Sequence, residues 1–155
     1  MKPITFSCEE TLNVTPDVIA EQILDVSKWT GFKGYLVLPG IKIAEFEIRT
    51  PAIVGSRIRV INTDGSTHVE EIVDWQPGQH IEMHMKEFSA PLSRLAAGIE
   101  ETWDFQRIDN STSVTRSVKL HAKSALARPV LWLIAIILKR AIARHLRQIR
   151  QENTS

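Results

Sequence analysis

Three charged residues interrupt otherwise apolar rows of this sequence and are its first candidates for chemistry: Glu71, Glu101 and Arg116. Each stands at an alternating position that predicts the inner face of a strand. A charge facing an apolar interior is costly unless it is paired. Arg116 could therefore anchor a carboxylate or enolate, and Glu101 or Glu71 could bind a hydroxyl or act as a general base. Alternatively, Arg116 and Glu101 form a structural ion pair, with Trp103 packed on the guanidinium.

Three histidines, His68, His80 and His84, lie close together in the sequence. They alternate with Val69, Ile81 and Met83, which predicts that all three face solvent on the outer side of a sheet. Zinc requires three or four convergent ligands and an enclosing shell. We therefore predict no metal site, and no cofactor-binding motif such as a phosphate-binding glycine loop is present in the sequence.

Large apolar residues on the same predicted inner face would form the floor of a cavity. These candidates are Trp75, Met83, Met85, Trp103 and Phe105 from the strands, with Leu133 and Ile137 from the last helix. Such a lining suits an apolar or aromatic ligand of moderate size. The alternative is a filled core without a cavity.

The elements that must position these residues follow from periodicity. Alternation at Ile4, Phe6 and Cys8 predicts a first strand with a buried thiol, and Thr15-Pro16-Asp17 is typical of a helix start. Residues 29–40 are expected to form a long loop or a broken short helix, and this segment is the best candidate for a lid. Further strands are predicted over 41–50, 54–63, 66–75, 79–87, 98–108 and 112–122, followed by a helix from Ser124 to about Glu152. This order predicts an α+β fold with an antiparallel sheet.

Turns at Asp64-Gly65, Pro77-Gly78 and Asp109-Asn110 predict which side chains are neighbours across the strands. The expected pairs are, hairpin by hairpin, Val60 with Val69 and Ile58 with Glu71; Trp75 with Ile81, Val73 with Met83 and Glu71 with Met85; Phe105 with Val114, Trp103 with Arg116 and Ile99 with Leu120. A slip of one residue would invert every face.

The last helix changes character along its length. Residues 129–138 are apolar on all sides, which predicts burial on two sides. The second half carries five cationic residues, Lys139, Arg140, Arg144, Arg147 and Arg150. They either stay solvated near the helix C-terminus or contact an anionic membrane or a partner subunit.

Composition sets the broad class. A chain of 155 residues with net charge +1 is expected to be one domain over 1–155 that does not bind nucleic acid. Its one cysteine, Cys8, fits a reducing compartment. The first residues lack the apolar core of a signal peptide, and residues 129–138 are half of the roughly 20 needed to span a bilayer. We therefore expect a cytoplasmic protein.

The layout resembles the START-like, or SRPBCC, superfamily with its helix-grip fold, and within it the polyketide cyclase/dehydrase-like proteins. The resemblance spans nearly the whole chain and is carried by the early helix (15–29), by Val54-Gly55-Ser56-Arg57-Ile58-Arg59-Val60, by 69–77, by Glu101-Thr102-Trp103-Asp104-Phe105, by 112–116 and by the final helix. It implies a curved antiparallel sheet of about seven strands wrapped around a long C-terminal helix, with a cavity between them. No motif carries over a catalytic assignment.

Three functions remain open at this point. The resemblance favours binding or transport of a small hydrophobic ligand, such as a lipid, quinone, isoprenoid or polyketide-like molecule. A second possibility is a polyketide cyclase/dehydratase-like enzyme that uses the cavity carboxylates. A third is a homodimer or peripheral membrane contact through the C-terminal helix.

Overall fold

The computed structural model describes residues 1–153. Its elements in chain order are strand β1 (Ile4–Leu12), helix α1 (Pro16–Leu24), a 3₁₀ helix (Val26–Gly31), strands β2 (Ile41–Ile48), β3 (Arg57–Asn62), β4 (Thr67–Gln76) and β5 (His80–Lys86), a 3₁₀ turn (Leu92–Arg94), strands β6 (Ala96–Ile108) and β7 (Ser111–Ala122), and helix α2 (Arg128–Glu152). The predicted order of strands and long helices is confirmed. The last two residues of the predicted domain, 154–155, lie outside the described residues.

The strands form one curved antiparallel sheet in the order β1-β7-β6-β5-β4-β3-β2. Register shifts interrupt the ladders in β2, in β4 between Ile72 and Asp74, and in β6 between Ala96 and Gly98. A bulge of this kind bends its strand, so these sites help the sheet to curve around α2. The predicted α+β helix-grip architecture is present.

The N-terminal segment follows the sequence prediction closely. Helix α1 begins at Pro16, where the fixed φ of proline suits the first turn, although the Thr15 side chain makes no capping hydrogen bond. Ile19 and Ile23 are buried on its inner face. Cys8 of β1 is buried as predicted, and this burial raises the pKa of its thiol.

Helix α2 begins at Arg128, four residues later than predicted, and buries a single stripe. The members of this stripe are Leu131, Ala135, Leu138, Ala141, Ile142, Leu146 and Ile149. On its other side Trp132 and Leu133 are 55% and 56% exposed. The expectation that the apolar half of α2 is buried on two sides is therefore wrong within the described residues. One side of the helix packs against the sheet, and the other side is exposed.

The hairpin between β3 and β4 differs from the predicted register by one residue. Its loop is Thr63-Asp64-Gly65, closed by a 2.8 Å hydrogen bond from the Asn62 amide to the Ser66 carbonyl. Val60 therefore pairs with His68 instead of Val69, and Ile58 pairs with Glu70 instead of Glu71. Since alternate residues face opposite sides, the three-residue loop exchanges the predicted faces at the start of β4.

The other two hairpins agree better with the prediction. Trp75 pairs with Ile81, but the bulge in β4 then places Ile72, not Val73, opposite Met83, and Glu70, not Glu71, opposite Met85. In the β6–β7 hairpin all of the predicted pairs are found, namely Phe105 with Val114, Trp103 with Arg116 and Ile99 with Leu120. The register of the strands that carry Glu101 and Arg116 is therefore confirmed.

Candidate functional site

A cavity of about 770 Å³ lies between the inner face of the sheet and α2. The strands supply Met83, Met85, Ile99, Glu101, Trp103 and Arg116, and α2 supplies Ile134, Ile137, Leu138, Ile142, His145 and Ile149. The expected lid segment also contributes, through Trp29, Phe32 and Val37 among others. Because Val37 and Asp64 of the lining are exposed, the cavity reaches the protein surface. The alternative of a filled core is excluded.

The ten residues proposed from the sequence divide between this cavity and other places. Six line it: Met83, Met85, Glu101, Trp103, Arg116 and Ile137. Trp75 and Phe105 are half-buried and pack against the core outside the lining. Leu133 is on the exposed side of α2, so its expected place in the cavity is wrong. Whether the six bind a ligand stays a prediction.

Glu71 requires a correction of a different kind, because it lies on the outer face of the sheet. Its Oε1 accepts a 2.7 Å hydrogen bond from Lys86 Nζ and lies 3.6 Å from Arg57 Nη1. The hydrogen bond from Lys86 lowers the pKa of Glu71. The group is a half-buried, paired carboxylate on the outer face and is not part of the cavity lining.

The polar end of the cavity is built around Arg116 of β7. Its Nη2 donates to both carboxylate oxygens of Glu101, at 2.9 and 3.1 Å. Trp103 donates to Glu101 Oε1 at 2.8 Å, and its ring lies 4.1 Å from the guanidinium carbon. This arrangement is the structural ion pair that was one of the two alternatives predicted for these residues. Arg116 and Glu101 are 6% and 3% exposed, and pairing offsets the cost of burying both charges.

His145 of α2 completes this group and was not among the residues predicted from the sequence. Arg116 Nη1 donates to His145 Nδ1 at 3.0 Å. The Phe32 ring meets the imidazole edge-on, with the ring centroids 5.5 Å apart. Burial and the neighbouring Arg116 charge lower the pKa of His145 to about 3. The imidazole is therefore neutral across the physiological range.

A second polar pair, His68 and Glu70, lines the cavity on β4. His68 Nε2 lies 3.0 Å from Glu70 Oε2, and Glu70 is buried. The prediction that His68 faces outward is wrong, because the three-residue loop reverses its side. A histidine held by a carboxylate is an arrangement that can accept and donate a proton.

The outer face of β5 and β6 carries the residues with the best geometry for a metal ion. One ligand atom each from Glu82, His84 and Glu100 lies within 4.8 Å of the others. The same groups pair with one another and with His121, whose Nε2 is 2.9 Å from Glu100 Oε2. His84 faces outward as predicted, and so does His80, which bonds Asp104. These ion pairs account for the cluster without a metal, and the absence of a metal site stays a prediction.

The cavity residues that were not predicted differ in whether the sequence contains a signal for them. His145 follows Leu138 and Ile142 at helical spacing, so the position continues the buried stripe and could have been found. His68 and Glu70 were hidden by one loop residue and one bulge, neither of which has a clear signature in the sequence.

Comparisons with solved structures give the same architecture. A START superfamily protein from Mycobacterium smegmatis is 12% identical, with a TM-score of 0.73 over 97% of this chain and 99% of that one. The chain has a START-like, helix-grip fold. The Zhui aromatase/cyclase from a Streptomyces species is 15% identical, with a TM-score of 0.73 over 97% and 93% of the two chains. The ginseng major latex-like protein 151 from Panax ginseng is 15% identical, with a TM-score of 0.72 over the full length of both.

Sequence comparisons add no closer relative. No protein-family model matches the chain, and no curated protein matches it. Within residues 1–153, the helices all lack the combination of length and hydropathy that a bilayer crossing requires. The structural likeness therefore supports the fold, and the function must be argued from the cavity.

Proposed function

We propose that this START-like domain binds or transports a small hydrophobic molecule in the cavity between the sheet and α2. The observation that carries the proposal is the cavity itself, whose volume of about 770 Å³ is within the range of small-molecule sites. Its walls are mainly Met, Ile, Leu and aromatic side chains from both layers. Candidate ligands are a lipid, a quinone, an isoprenoid or a polyketide-like molecule, and the cytoplasm is the proposed location.

Desolvation would supply the affinity. Burying roughly 300 Å² of apolar ligand surface contributes about 7 kcal/mol at about 25 cal/mol per Å², before the costs of ordering the ligand are subtracted. Before those costs, this contribution corresponds to a dissociation constant on the order of 10 μM, so tighter binding requires further contacts between the ligand and the cavity. The half-buried Ile134 and Ile137 of α2 face this space and need no rearrangement to contact a ligand.

The first experiment is native mass spectrometry of the purified full chain, followed by identification of whatever organic extraction releases. A bound lipid, quinone, isoprenoid or polyketide-like molecule supports the proposal. Binding is then measured by displacement of the neutral fluorophore N-phenylnaphthylamine. Failure of the protein to retain a ligand in the first experiment and to bind the fluorophore in the second would contradict the proposal.

A matched pair of variants on α2 tests whether the ligand binds in this cavity. Ile137→Trp adds bulk inside the cavity and should weaken fluorophore binding at least about tenfold. Leu133→Trp makes the same kind of change one turn earlier, on the exposed side of α2, and should leave binding unchanged. Equal effects of the two variants would show that the fluorophore does not occupy this cavity.

The His68–Glu70 pair favours an enzyme as the second candidate function, a polyketide cyclase/dehydratase-like activity in the same cavity. The aromatase/cyclase named above has the same fold. Here His68 would act as the general base or acid and Glu70 would orient it. Turnover of a polyketide-like substrate that survives His68→Ala and Glu70→Gln would remove this candidate.

The exposed apolar face of α2, which includes Val130, Trp132 and Leu133, favours an additional contact role. The occupant would be a second copy of the chain or an anionic membrane surface. Sedimentation velocity at several concentrations tests the first, and flotation with anionic liposomes tests the second. A monomer that does not float would end this candidate.

A further inference from the structure

The polar end of the cavity has more hydrogen-bond donors than acceptors. Both oxygens of Glu101 are already used, by Arg116 Nη2 and by Trp103 Nε1. Arg116 Nε is buried and has no hydrogen-bond partner among the described residues. Since Arg116 itself lines the cavity, the group at this end is short of one or more oxygen acceptors.

The hydrogen bond between Arg116 and His145 fixes the tautomer of the imidazole. A guanidinium only donates, so His145 Nδ1 must be the acceptor at 3.0 Å. The proton of the neutral ring then lies on Nε2. Within residues 1–153 no hydrogen bond of Nε2 is found, and His145 lines the cavity. His145 therefore has an N–H donor without a hydrogen-bond partner among the described residues, on a ring that lines this space.

Two contacts hold this donor in place. Arg116 engages one side of the ring through Nδ1, and the edge-on contact with Phe32, at an interplanar angle of 84°, restricts rotation of the imidazole. Arg116 is in turn held by Glu101 and stacked by Trp103. A donor that is oriented before binding loses little entropy when it meets a ligand oxygen.

Charge decides which kind of oxygen fits. The charges of Arg116 and Glu101 cancel, and His145 is neutral, so the group has no net charge. A ligand carboxylate would bring an uncompensated negative charge to a buried site that already holds the Glu101 carboxylate. A neutral carbonyl oxygen can accept a hydrogen bond from His145 Nε2–H without that cost.

We propose that His145 Nε2–H donates a hydrogen bond to a neutral carbonyl oxygen of the bound molecule, such as that of a ketone, quinone or ester. This inference rests on the proposed function and narrows its ligand class to carbonyl-bearing hydrophobic molecules. Arg116 acts as a positioning residue, which sets the tautomer of His145 and keeps its ring oriented. The remaining cavity wall, with Met83 and Met85, takes up the apolar body of the ligand.

The test compares three ligands with the same tricyclic skeleton, fluorenone, fluorene and fluorene carboxylate, by displacement of N-phenylnaphthylamine from the full chain at neutral pH. Wild-type protein should bind fluorenone about five- to tenfold more tightly than fluorene, as one neutral hydrogen bond provides. The carboxylate should bind most weakly. The carbonyl stretching band of bound fluorenone should move to lower frequency than in an apolar solvent.

Variants separate a hydrogen bond from general packing. His145→Phe keeps a ring against Phe32 and should abolish both the fluorenone preference and the frequency shift. His145→Gln, whose amide can accept from Arg116 and donate from its nitrogen, should restore part of both even if the first variant folds poorly. Met85→Leu changes the apolar wall and should alter the affinities for fluorenone and fluorene by the same factor.

The outcomes distinguish this inference from the proposed function. Equal wild-type binding of fluorenone and fluorene, or tightest binding of the carboxylate, would overturn the carbonyl site and leave a general hydrophobic cavity. A preference and frequency shift that persist in His145→Phe would overturn the role of His145. Absence of binding by all three ligands and by the fluorophore would contradict the proposed function itself.

Discussion

Protonation of His145 should make the fold unusually sensitive to mild acid. The unfolded histidine takes up a proton near its ordinary pKa of about 6.5, whereas burial and Arg116 lower the folded pKa to about 3. Between these two values the unfolded state binds more protons than the folded state. The free energy of unfolding therefore falls as the pH falls through this window, and it is fully retained above pH 6.5.

The size of the effect follows from the width of the window. Each pH unit inside it is worth about 1.4 kcal/mol, so acidification from pH 7 to pH 4 should remove about 3 kcal/mol through His145 alone. His145→Phe lacks the titrating group. The difference in unfolding free energy between wild type and this variant, measured by urea denaturation, should shift by about 3 kcal/mol between the two pH values.

Comparison with a variant is needed because other groups also titrate in acid. The lowered pKa values of Glu71 and Glu100 add acid sensitivity to both proteins and cancel in the difference. His80 provides a control of opposite sign, because its hydrogen bond to Asp104 raises its pKa. The stability that protonated His80 gains from Asp104 is present in acid and is lost as the pH rises through the raised pKa. The free energy of unfolding of wild type should therefore increase relative to that of His80→Gln as the pH falls.

The result that refutes this reasoning is a difference between wild type and His145→Phe that stays constant from pH 7 to pH 4. Long-range nitrogen–proton NMR spectra of the imidazole give a direct check. They should show a neutral ring with its proton on Nε2 and no titration above pH 4. A ring that titrates near pH 6.5 in the folded protein would remove the basis for a fixed donor at this position.

Three further predictions concern the stability of the fold. Glu101→Gln leaves the buried Arg116 charge without a partner and should lower the free energy of unfolding by about 3–5 kcal/mol in urea denaturation, whereas the outer-face variant Glu71→Gln should cost less than about 1 kcal/mol. Trp103→Ala should cost about 3–5 kcal/mol and enlarge the cavity, and a larger ligand in extracts of the variant would be the confirming observation. Leu133→Ser should change the melting temperature little, because the side chain is exposed; a large loss would mean that this face is covered in solution.

Much of the architecture was predictable because it depends on short-range patterns. Alternation placed the strands, and the two-residue turn at Asp109-Asn110 fixed the β6–β7 register that brings Trp103 beside Arg116. That register brought Arg116 close enough to Glu101 for their ion pair to be one of the two predicted alternatives. The last helix was predicted to within four residues of its start, since Pro129 and the long apolar run leave few alternatives.

The incorrect predictions arise where a single residue changes the register of a strand or where the sequence does not show whether a side chain is covered. One additional loop residue at Thr63 and one bulge in β4 exchange the sides of Glu70 and Glu71. The prediction therefore placed the carboxylate of Glu71 in the cavity, whereas the structure places that of Glu70 there. Both glutamates are compatible with either face on composition alone. The exposed side of α2 was also missed, because an apolar residue such as Trp132 carries no indication of whether a partner covers it.

The place of β1 in the sheet has a consequence for how the chain folds. Its neighbour is β7, so Ile4 pairs with Leu120 and Leu12 with Thr112. Each strand from β2 to β7 pairs with the strand that follows it in the chain, whereas β1 cannot pair with its neighbour until β7 has formed. Such distant pairing slows folding.

Helix α2 follows later still and packs against β1. The inner face of the sheet therefore stays uncovered until α2 has been synthesised, and during that interval it is open to aggregation or to chaperones. The ligand cavity has no second wall until the helix docks. We expect nascent chains that end before Arg128 to be insoluble and unable to bind any ligand.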